Sequence, residues 1–139
     1  MVNGGQLVRQ EFGAGKVYAI GSGTYQGTVI ASPAWGAPIT TMSVPRAVPG
    51  SWESLLHAMG ARDKILLSPE LQDNALLAKP IGHRAIGVVY DPSSEAGNYM
   101  PSTIPKRYDA FLFIDRTTAL HPLGTAARNE PPDTYPSGY

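Results

Sequence analysis

The stretch Ala110-Phe-Leu-Phe-Ile114 is an apolar run enclosed by two aspartates, and such a run is typical of a strand with both faces covered. Similar runs precede it at Val17-Tyr-Ala-Ile20, Ile65-Leu-Leu67 and Ala85-Ile-Gly-Val-Val-Tyr90. These runs do not alternate between apolar and polar residues, as they would if one face of each strand met water. They therefore predict the central strands of a mainly parallel or mixed sheet.

Two further strands are predicted between the first two of these runs. Gly27–Ala31 is rich in β-branched residues, and Ile39–Val44 alternates only imperfectly. The segment between them, Ser32-Pro-Ala-Trp-Gly-Ala-Pro38, reads as a loop because its prolines and glycine cannot continue a strand ladder.

The clearest helical pattern covers Trp52–Met59. Ser51 is a good N-cap, and Gly60 is placed to end the helix with a positive φ angle. One face of this helix carries an apolar stripe, made by Trp52, Leu55, Leu56 and Met59. Two other helices are predicted, at Gln6–Phe12 and at Pro69–Ala78, where Ser68 precedes a proline in the first helical position.

Strands that alternate with helices predict an α/β fold, with a mainly parallel or mixed sheet flanked by helices. Residues 1–123 are expected to form a single domain. Asp91–Lys106, with three prolines, is predicted to be a long ordered loop. Residues 124–139 have no apolar periodicity and are predicted to be a flexible tail.

The composition excludes several classes of function. Only 16% of the 139 residues are charged, the formal net charge is +0, and there is no basic cluster, so nucleic-acid binding is not expected. The absence of cysteine excludes a disulfide framework, a thiolate metal site and a cysteine nucleophile. The start of the chain has no secretory signal, and no apolar run approaches the ~20 residues that cross a bilayer, so we expect a cytoplasmic protein without a membrane partner.

Glu53 and His57 form the first candidate catalytic pair. One helical turn separates them, so the carboxylate can orient the imidazole and raise its basicity, as a general base for water activation requires. The alternative is an exposed pair near a helix C-terminus, where a protonated histidine also suits the helix dipole.

Gly21-Ser22-Gly23-Thr24 follows a predicted buried strand, where ligands of open α/β sheets bind. Ser22 is therefore a candidate substrate-binding residue, but the pattern lacks the glycines of a nucleophile elbow or a phosphate-binding loop. The alternative is a tight turn with structural glycines.

Several polar and aromatic side chains near strand ends are further candidates. Tyr25, Asn98 and Tyr99 carry phenol and amide groups that can orient an ester or sugar, although Asn98-Tyr99 also fits a turn followed by an aromatic plug. Four more side chains lie close to predicted strand ends, namely His83, His121, Asp91 and Asp115. No spacing suggests a third metal ligand beside the histidines, so no metal site is predicted, and both aspartates also fit the turns that end strands.

Long ordered strings of this sequence resemble the C-terminal part of the erythromycin esterase-like proteins, α/β hydrolases also called succinoglycan biosynthesis proteins. The strings are His83-Arg-Ala-Ile-Gly-Val-Val-Tyr-Asp91, Gly97-Asn-Tyr-Met-Pro101 and Arg107-Tyr-Asp-Ala-Phe-Leu-Phe-Ile-Asp-Arg-Thr-Thr-Ala-Leu-His-Pro122. The resemblance continues upstream, in Tyr18–Ala31 and in Gly50-Ser-Trp-Glu-Ser-Leu-Leu-His57.

This resemblance implies a hydrolase of carboxylic esters, in the best-known members the lactone of macrolide antibiotics. It implies that a histidine with a nearby glutamate activates water, without a required metal or cofactor. The family's catalytic histidines would lie just before the stretch matched by Asn3–Arg9, whereas Glu53 and His57 match a family string of their own.

Two functions are therefore expected as alternatives. The first is an esterase-type hydrolase of a small-molecule ester, and the second is a non-catalytic structural or assembly module, a truncated family segment. Because part of a larger α/β hydrolase would leave apolar surface exposed, we also expect a homo-oligomer, with Trp35, Ile39 and Met42 as candidate contacts.

Overall fold

The structure is a computed structural model that describes residues 4–71 and 73–121. Its elements are helix α1 (Gly4–Phe12), strands β1 (Ile20–Ala31) and β2 (Thr40–Val44), helix α2 (Trp52–Ala58), strands β3 (Lys64–Leu67), β4 (Ile81–Arg84) and β5 (Tyr99–Ser102), helix α3 (Ile104–Arg107) and strand β6 (Ala110–Thr117). Short 3-10 segments lie at Ala14–Lys16, Ser68–Glu70, Ala75–Leu77 and Pro92–Asn98. Each helix among the described residues is too short or too polar to span a bilayer.

The central sheet has four strands in the order β2-β1-β6-β3. The two inner strands, β1 and β6, run parallel, and each outer strand pairs antiparallel with its inner neighbour. Strands β4 and β5 form a separate antiparallel pair. The predicted α/β fold with a mixed sheet flanked by helices is confirmed, and Ala110–Ile114 lies in an inner strand as expected.

Gly21 and Gly23 lie inside strand β1, so the predicted tight turn at Gly21–Thr24 is wrong. A Cβ atom at Gly21 would lie 2.6 Å from the ring of Tyr108, and one at Gly23 would lie 2.8 Å from the ring of Phe111. Glycine is needed here because aromatic rings pack directly onto the strand backbone.

Helix α2 covers one face of the sheet. Its N-cap is confirmed, since the Ser51 hydroxyl accepts a hydrogen bond of 3.2 Å from the backbone N–H of Ser54. The core under the helix consists of Trp52, Leu56, Ile104, Phe111 and Phe113. The predicted apolar stripe is only half correct: Leu55 and Met59 are exposed, because the helix turns Glu53 towards the core instead.

The opposite face of the sheet is only partly covered within the described residues, since Thr24 and Ala110 on it are buried. Residues in register across β1, β6 and β3 share a face, and five apolar residues that alternate with the core residues are exposed: Ile20, Ile65, Leu67, Leu112 and Ile114. The prediction that these strands are covered on both faces is therefore wrong for this part of the chain. We refer to these five residues as the open face.

Two predicted elements are replaced by other structure. Ala85–Tyr90 is not a regular strand: it makes only an isolated parallel bridge between Val89 and Ser32, and Tyr90 packs into a small second core with Ala31 and Val44. The predicted helix Pro69–Ala78 is divided between two 3-10 segments.

The remaining predictions concern the C-terminal third of the chain. The predicted loop Asp91–Lys106 contains a 3-10 segment, strand β5 and most of helix α3, so it holds far more regular structure than expected. The predicted tail, residues 124–139, lies outside the described residues.

Gly27→Ala is expected to lower the free energy of unfolding by at least about 1–3 kcal/mol, since Gly27 combines a φ angle of 137° with a close backbone neighbour. A Cβ atom there would lie 2.1 Å from the carbonyl oxygen of Thr117, which is backbone of the paired strand and cannot rotate away. Gly15→Ala is the matched control, because nothing lies within 4 Å of a Cβ atom at that position. Denaturant unfolding measures both variants, and equal stability of the two would contradict this account.

Candidate functional site

Glu53 and His83 form a fully buried pair beneath helix α2. Oε1 of Glu53 lies 2.6 Å from Nδ1 of His83, and the side chains are 0% and 6% exposed. The same oxygen accepts a hydrogen bond of 3.2 Å from the backbone N–H of Arg84. The Phe111 ring lies edge-on to the imidazole, with the ring centroids 5.3 Å apart.

Glu53 therefore does not orient His57, and the predicted Glu53–His57 pair is wrong. On a helix the two residues are neighbours, but Glu53 points into the core and His57 towards the rim of the sheet. The second oxygen of Glu53, Oε2, is buried without a hydrogen-bond partner among the described residues. An unsatisfied buried oxygen is costly, so this carboxylate is held in place by its other contacts.

His57 is held instead by Asp115 and Tyr25. Its Nδ1 lies 2.6 Å from Oδ1 of Asp115, and its ring stacks on the Tyr25 ring with a centroid distance of 3.7 Å and an angle of 6°. The His57 side chain is 31% exposed and that of Asp115 15% exposed, so solvent reaches this pair. We call the three residues the His57 cluster.

The sheet geometry brings the His57 cluster together. Asp115 follows Phe111 and Phe113 at a two-residue spacing, so its carboxylate emerges on the face that helix α2 covers. Asp115 lies within β6 and does not end it, so its reading as a strand-terminating turn residue is wrong. Its backbone N–H donates to Oδ1 of Asp63 at 2.8 Å, which fixes the strand next to the cluster.

The guanidinium of Arg84 ties the surrounding segments together. Its Nη1 donates to the carbonyl oxygens of Thr24 and Tyr25 at 2.8 and 3.1 Å, and its Nη2 donates to that of Pro45 at 2.9 Å. Its Nε donates to Oε1 of Glu95 at 2.7 Å. The Arg84 side chain is 1% exposed, so this network is shielded from water.

Two tyrosines next to this network have raised pKa values. Burial raises the pKa of the Tyr90 phenol, as does the 2.7 Å hydrogen bond that its hydroxyl donates to Oε2 of Glu95. Burial also raises the pKa of Tyr99 to about 12. Both phenols are therefore neutral, and neither is prepared to act as a base.

The other predicted substrate-binding residues lie apart from His57. Ser22 is exposed on the opposite face of the sheet, in register with Leu112. The amide of Asn98 donates to the carbonyl oxygen of Asp91 at 3.0 Å, and the Tyr99 hydroxyl accepts from the backbone N–H of Val48 at 3.0 Å. Of the four predicted residues, only Tyr25 contacts His57.

The remaining candidates are explained by local structure. Asp91 caps the 3-10 segment that follows it, accepting from the backbone N–H of Ser93 at 2.9 Å, and the hydroxyl of Ser93 lowers the pKa of this carboxyl. His121 is exposed at the end of the described residues, whereas His83 is buried. Within residues 4–71 and 73–121, no three side chains of His, Cys, Asp or Glu gather closely enough to hold a metal ion.

Sequence spacing could not have revealed either pair. Glu53 and His83 are 30 positions apart, and His57 and Asp115 are 58 positions apart. The one available signal was the two-residue period of β6, which places Asp115 on the same face as Phe111 and Phe113.

Comparisons with known proteins agree with this architecture. A family model described as erythromycin esterase matches residues 1–117. A crystal structure of a succinoglycan biosynthesis protein is similar to this chain, with 20% sequence identity and a TM-score of 0.62. The match covers 81% of this chain and 27% of that chain, so the chain spans about a quarter of the length of that relative. At this identity the likeness shows the fold alone.

Glu53→Ala is expected to lower the free energy of unfolding by about 3–5 kcal/mol, because it leaves His83 and the Arg84 N–H buried without their partner. Asp115→Ala is the control, since it removes the carboxylate of the other histidine pair, whose side chains are less buried, at 31% and 15% exposed. Thermal and denaturant unfolding should show a small change there. A larger loss of stability for Asp115→Ala than for Glu53→Ala would contradict this assignment.

Proposed function

The chain belongs to the erythromycin esterase family, and from this premise we propose that it hydrolyses a carboxylic ester with a histidine that activates water. The observation that carries the proposal is the contact of 2.6 Å between Asp115 and a solvent-accessible His57. An imidazole held by a carboxylate is the arrangement that a general base requires.

The carboxylate decides which nitrogen of His57 accepts a proton. Asp115 accepts the Nδ1–H hydrogen bond, so the lone pair of the neutral ring lies on Nε2. Tyr25, stacked on the ring, holds the imidazole plane in one orientation. Asp115 also stabilises the imidazolium that forms once the proton has been taken.

The proposed reaction has two steps. Nε2 of His57 removes a proton from a water molecule while the water oxygen attacks the ester carbonyl carbon, which forms a tetrahedral oxyanion. The C–O bond to the alcohol then breaks, and the leaving oxygen takes the proton from the imidazolium. The products are a carboxylic acid and an alcohol, and no metal or cofactor is needed for this balance.

The buried pair is the weaker choice for this role. His83 is 4% exposed and enclosed by Phe111 and Tyr108, so it is poorly placed to meet an ester and a water molecule. We therefore assign Glu53 and His83 to folding and orientation of the β1–α2 region. This changes the proposed partner of His57 from Glu53 to Asp115.

His57→Ala is expected to reduce turnover of a short-chain aryl ester by about 10²–10⁴-fold, the usual effect of losing a positioned general base. Asp115→Asn should have a smaller effect, because an amide still reaches Nδ1 but no longer stabilises the charged ring. His121→Ala is the matched control, since it removes an exposed histidine. Full activity of a folded His57→Ala protein would refute the proposal.

The open face supports assembly as a second candidate function. Ile20, in the inner strand β1, is 59% exposed, and Ile65, in the outer strand β3, is 70% exposed. We propose that this face binds the same face of a second copy. Its five residues are uncharged, so an arrangement that places identical surfaces against each other brings no like charges together. The nearby Lys64 lies on the other side of the sheet, over the Phe113 ring.

The surface expected from the sequence differs from this one. Trp35 and Ile39 are exposed, at 82% and 67%, but Met42 is half-buried and packs against the second core. The open face is the more extensive of the two, because its residues come from three adjacent strands.

Ile65→Asp is expected to convert a dimer into a monomer at micromolar concentration, because each partner would bury a charge against an apolar face. Ile39→Asp is the matched control: the same substitution at a residue of similar exposure, on the other surface. Light scattering gives the mass of both variants and of the unaltered protein. A monomeric unaltered protein, or dissociation by Ile39→Asp alone, would overturn the proposed interface.

A further inference from the structure

A basic groove lies between helix α1 and the segment that joins helix α3 to strand β6. It has a volume of about 550 Å³, and its walls include Arg9, Gln10, Ala19, Lys106, Arg107 and Tyr108. Its walls contain no residue of the His57 cluster and none of the open face. The groove is therefore a separate feature of the molecule, which neither proposed function uses.

One wall presents an arginine that is fixed in position. Nη2 of Arg9 lies 2.6 Å from Oδ2 of Asp109, and the same oxygen accepts from the backbone N–H of Ala19 at 2.7 Å. Asp109 thus anchors one side of the guanidinium, and Arg9 retains four further N–H donors. The Arg9 side chain is 31% exposed, so these donors remain accessible from the groove.

The other wall presents two adjacent cations at the end of helix α3. Nη1 of Arg107 donates to the Ser102 hydroxyl at 3.0 Å, and its guanidinium lies over the Tyr108 ring, 5.4 Å from the centroid. Lys106 is exposed and makes no ion pair with any carboxylate of the described residues. Three cations thus line the groove, and among the described residues Asp109 is the one carboxylate that pairs with any of them.

We propose that this groove binds the oxyanion group of a small molecule, a phosphate or a carboxylate. Planar guanidinium groups form paired, charge-assisted hydrogen bonds with such groups, and the anchors of Arg9 and Arg107 lower the entropy lost when a ligand binds. The groove volume fits a small molecule. A nucleic acid does not fit, because the chain has no net charge to hold a polyanion beyond this groove.

The test is a titration of the full chain with inorganic phosphate and, separately, with acetate, followed by NMR shift changes at low salt. We expect the shifts of Arg9, Lys106, Arg107 and Tyr108 to change, and the affinity to fall as salt rises. Tighter binding of phosphate would point to a phosphorylated ligand, and tighter binding of acetate to a carboxylate. Either result supports an oxyanion site, whereas no shift with either anion overturns it.

Variants distinguish a binding site of fixed geometry from non-specific attraction between charges. Arg107→Ala is expected to weaken binding by about tenfold through loss of a charge-assisted pair of hydrogen bonds, and Arg107→Lys by somewhat less. Arg46→Ala is the matched control, because Arg46 is exposed and lies outside the groove. Equal weakening by Arg46→Ala and Arg107→Ala would overturn the proposal. Thermal unfolding confirms that each variant is folded, and ester hydrolysis by the Arg107 variants is expected to stay unchanged.

Discussion

The rest of this structure depends on the hydrogen bonds that the buried guanidinium of Arg84 makes. It binds carbonyl oxygens from strand β1 and from the segment after strand β2, and it pairs with Glu95 in the 3-10 segment. Because a buried cation must keep its partners, the segments can be arranged in few other ways without a large loss of stability.

Arg84 also helps to set the different positions of Glu53 and His57 on helix α2. Its backbone N–H binds Glu53, and this contact, with that of His83, turns Glu53 into the core. His57 is one turn further along, and with Glu53 pointing inward it lies at the rim of the sheet, where Asp115 and Tyr25 reach it. A short helix thus carries one carboxylate that is buried in the fold and one imidazole that remains accessible to solvent.

The open face departs from the usual covering of an α/β sheet. The structural relative is a longer chain, of which this one spans 27%. In a sheet of this class both faces are normally covered, because apolar strand faces gain free energy when they leave water. The open face is therefore an apolar surface without a partner among the described residues, whereas helix α2 covers the other face.

The sequence by itself determined the elements whose signals are local. Ser51 capped a helix, the apolar run Ala110–Ile114 formed an inner strand, and the mixed α/β class followed from the order of the patterns. The strings shared with the family also indicated the membership correctly. Such signals are readable because they depend on near neighbours in the chain.

Only the tertiary structure decided which charged groups meet. Helical spacing placed Glu53 beside His57, but each residue found a partner on another strand, because burial and hydrogen bonding across the sheet outweigh a weak contact along one helix. The glycines of β1 likewise predict a turn from the sequence, but they lie in a strand, where the rings of Tyr108 and Phe111 leave no room for a Cβ atom. Local sequence patterns carry no information about contacts between residues 30 and 58 positions apart. The residues of the candidate site are therefore identified only from the folded chain.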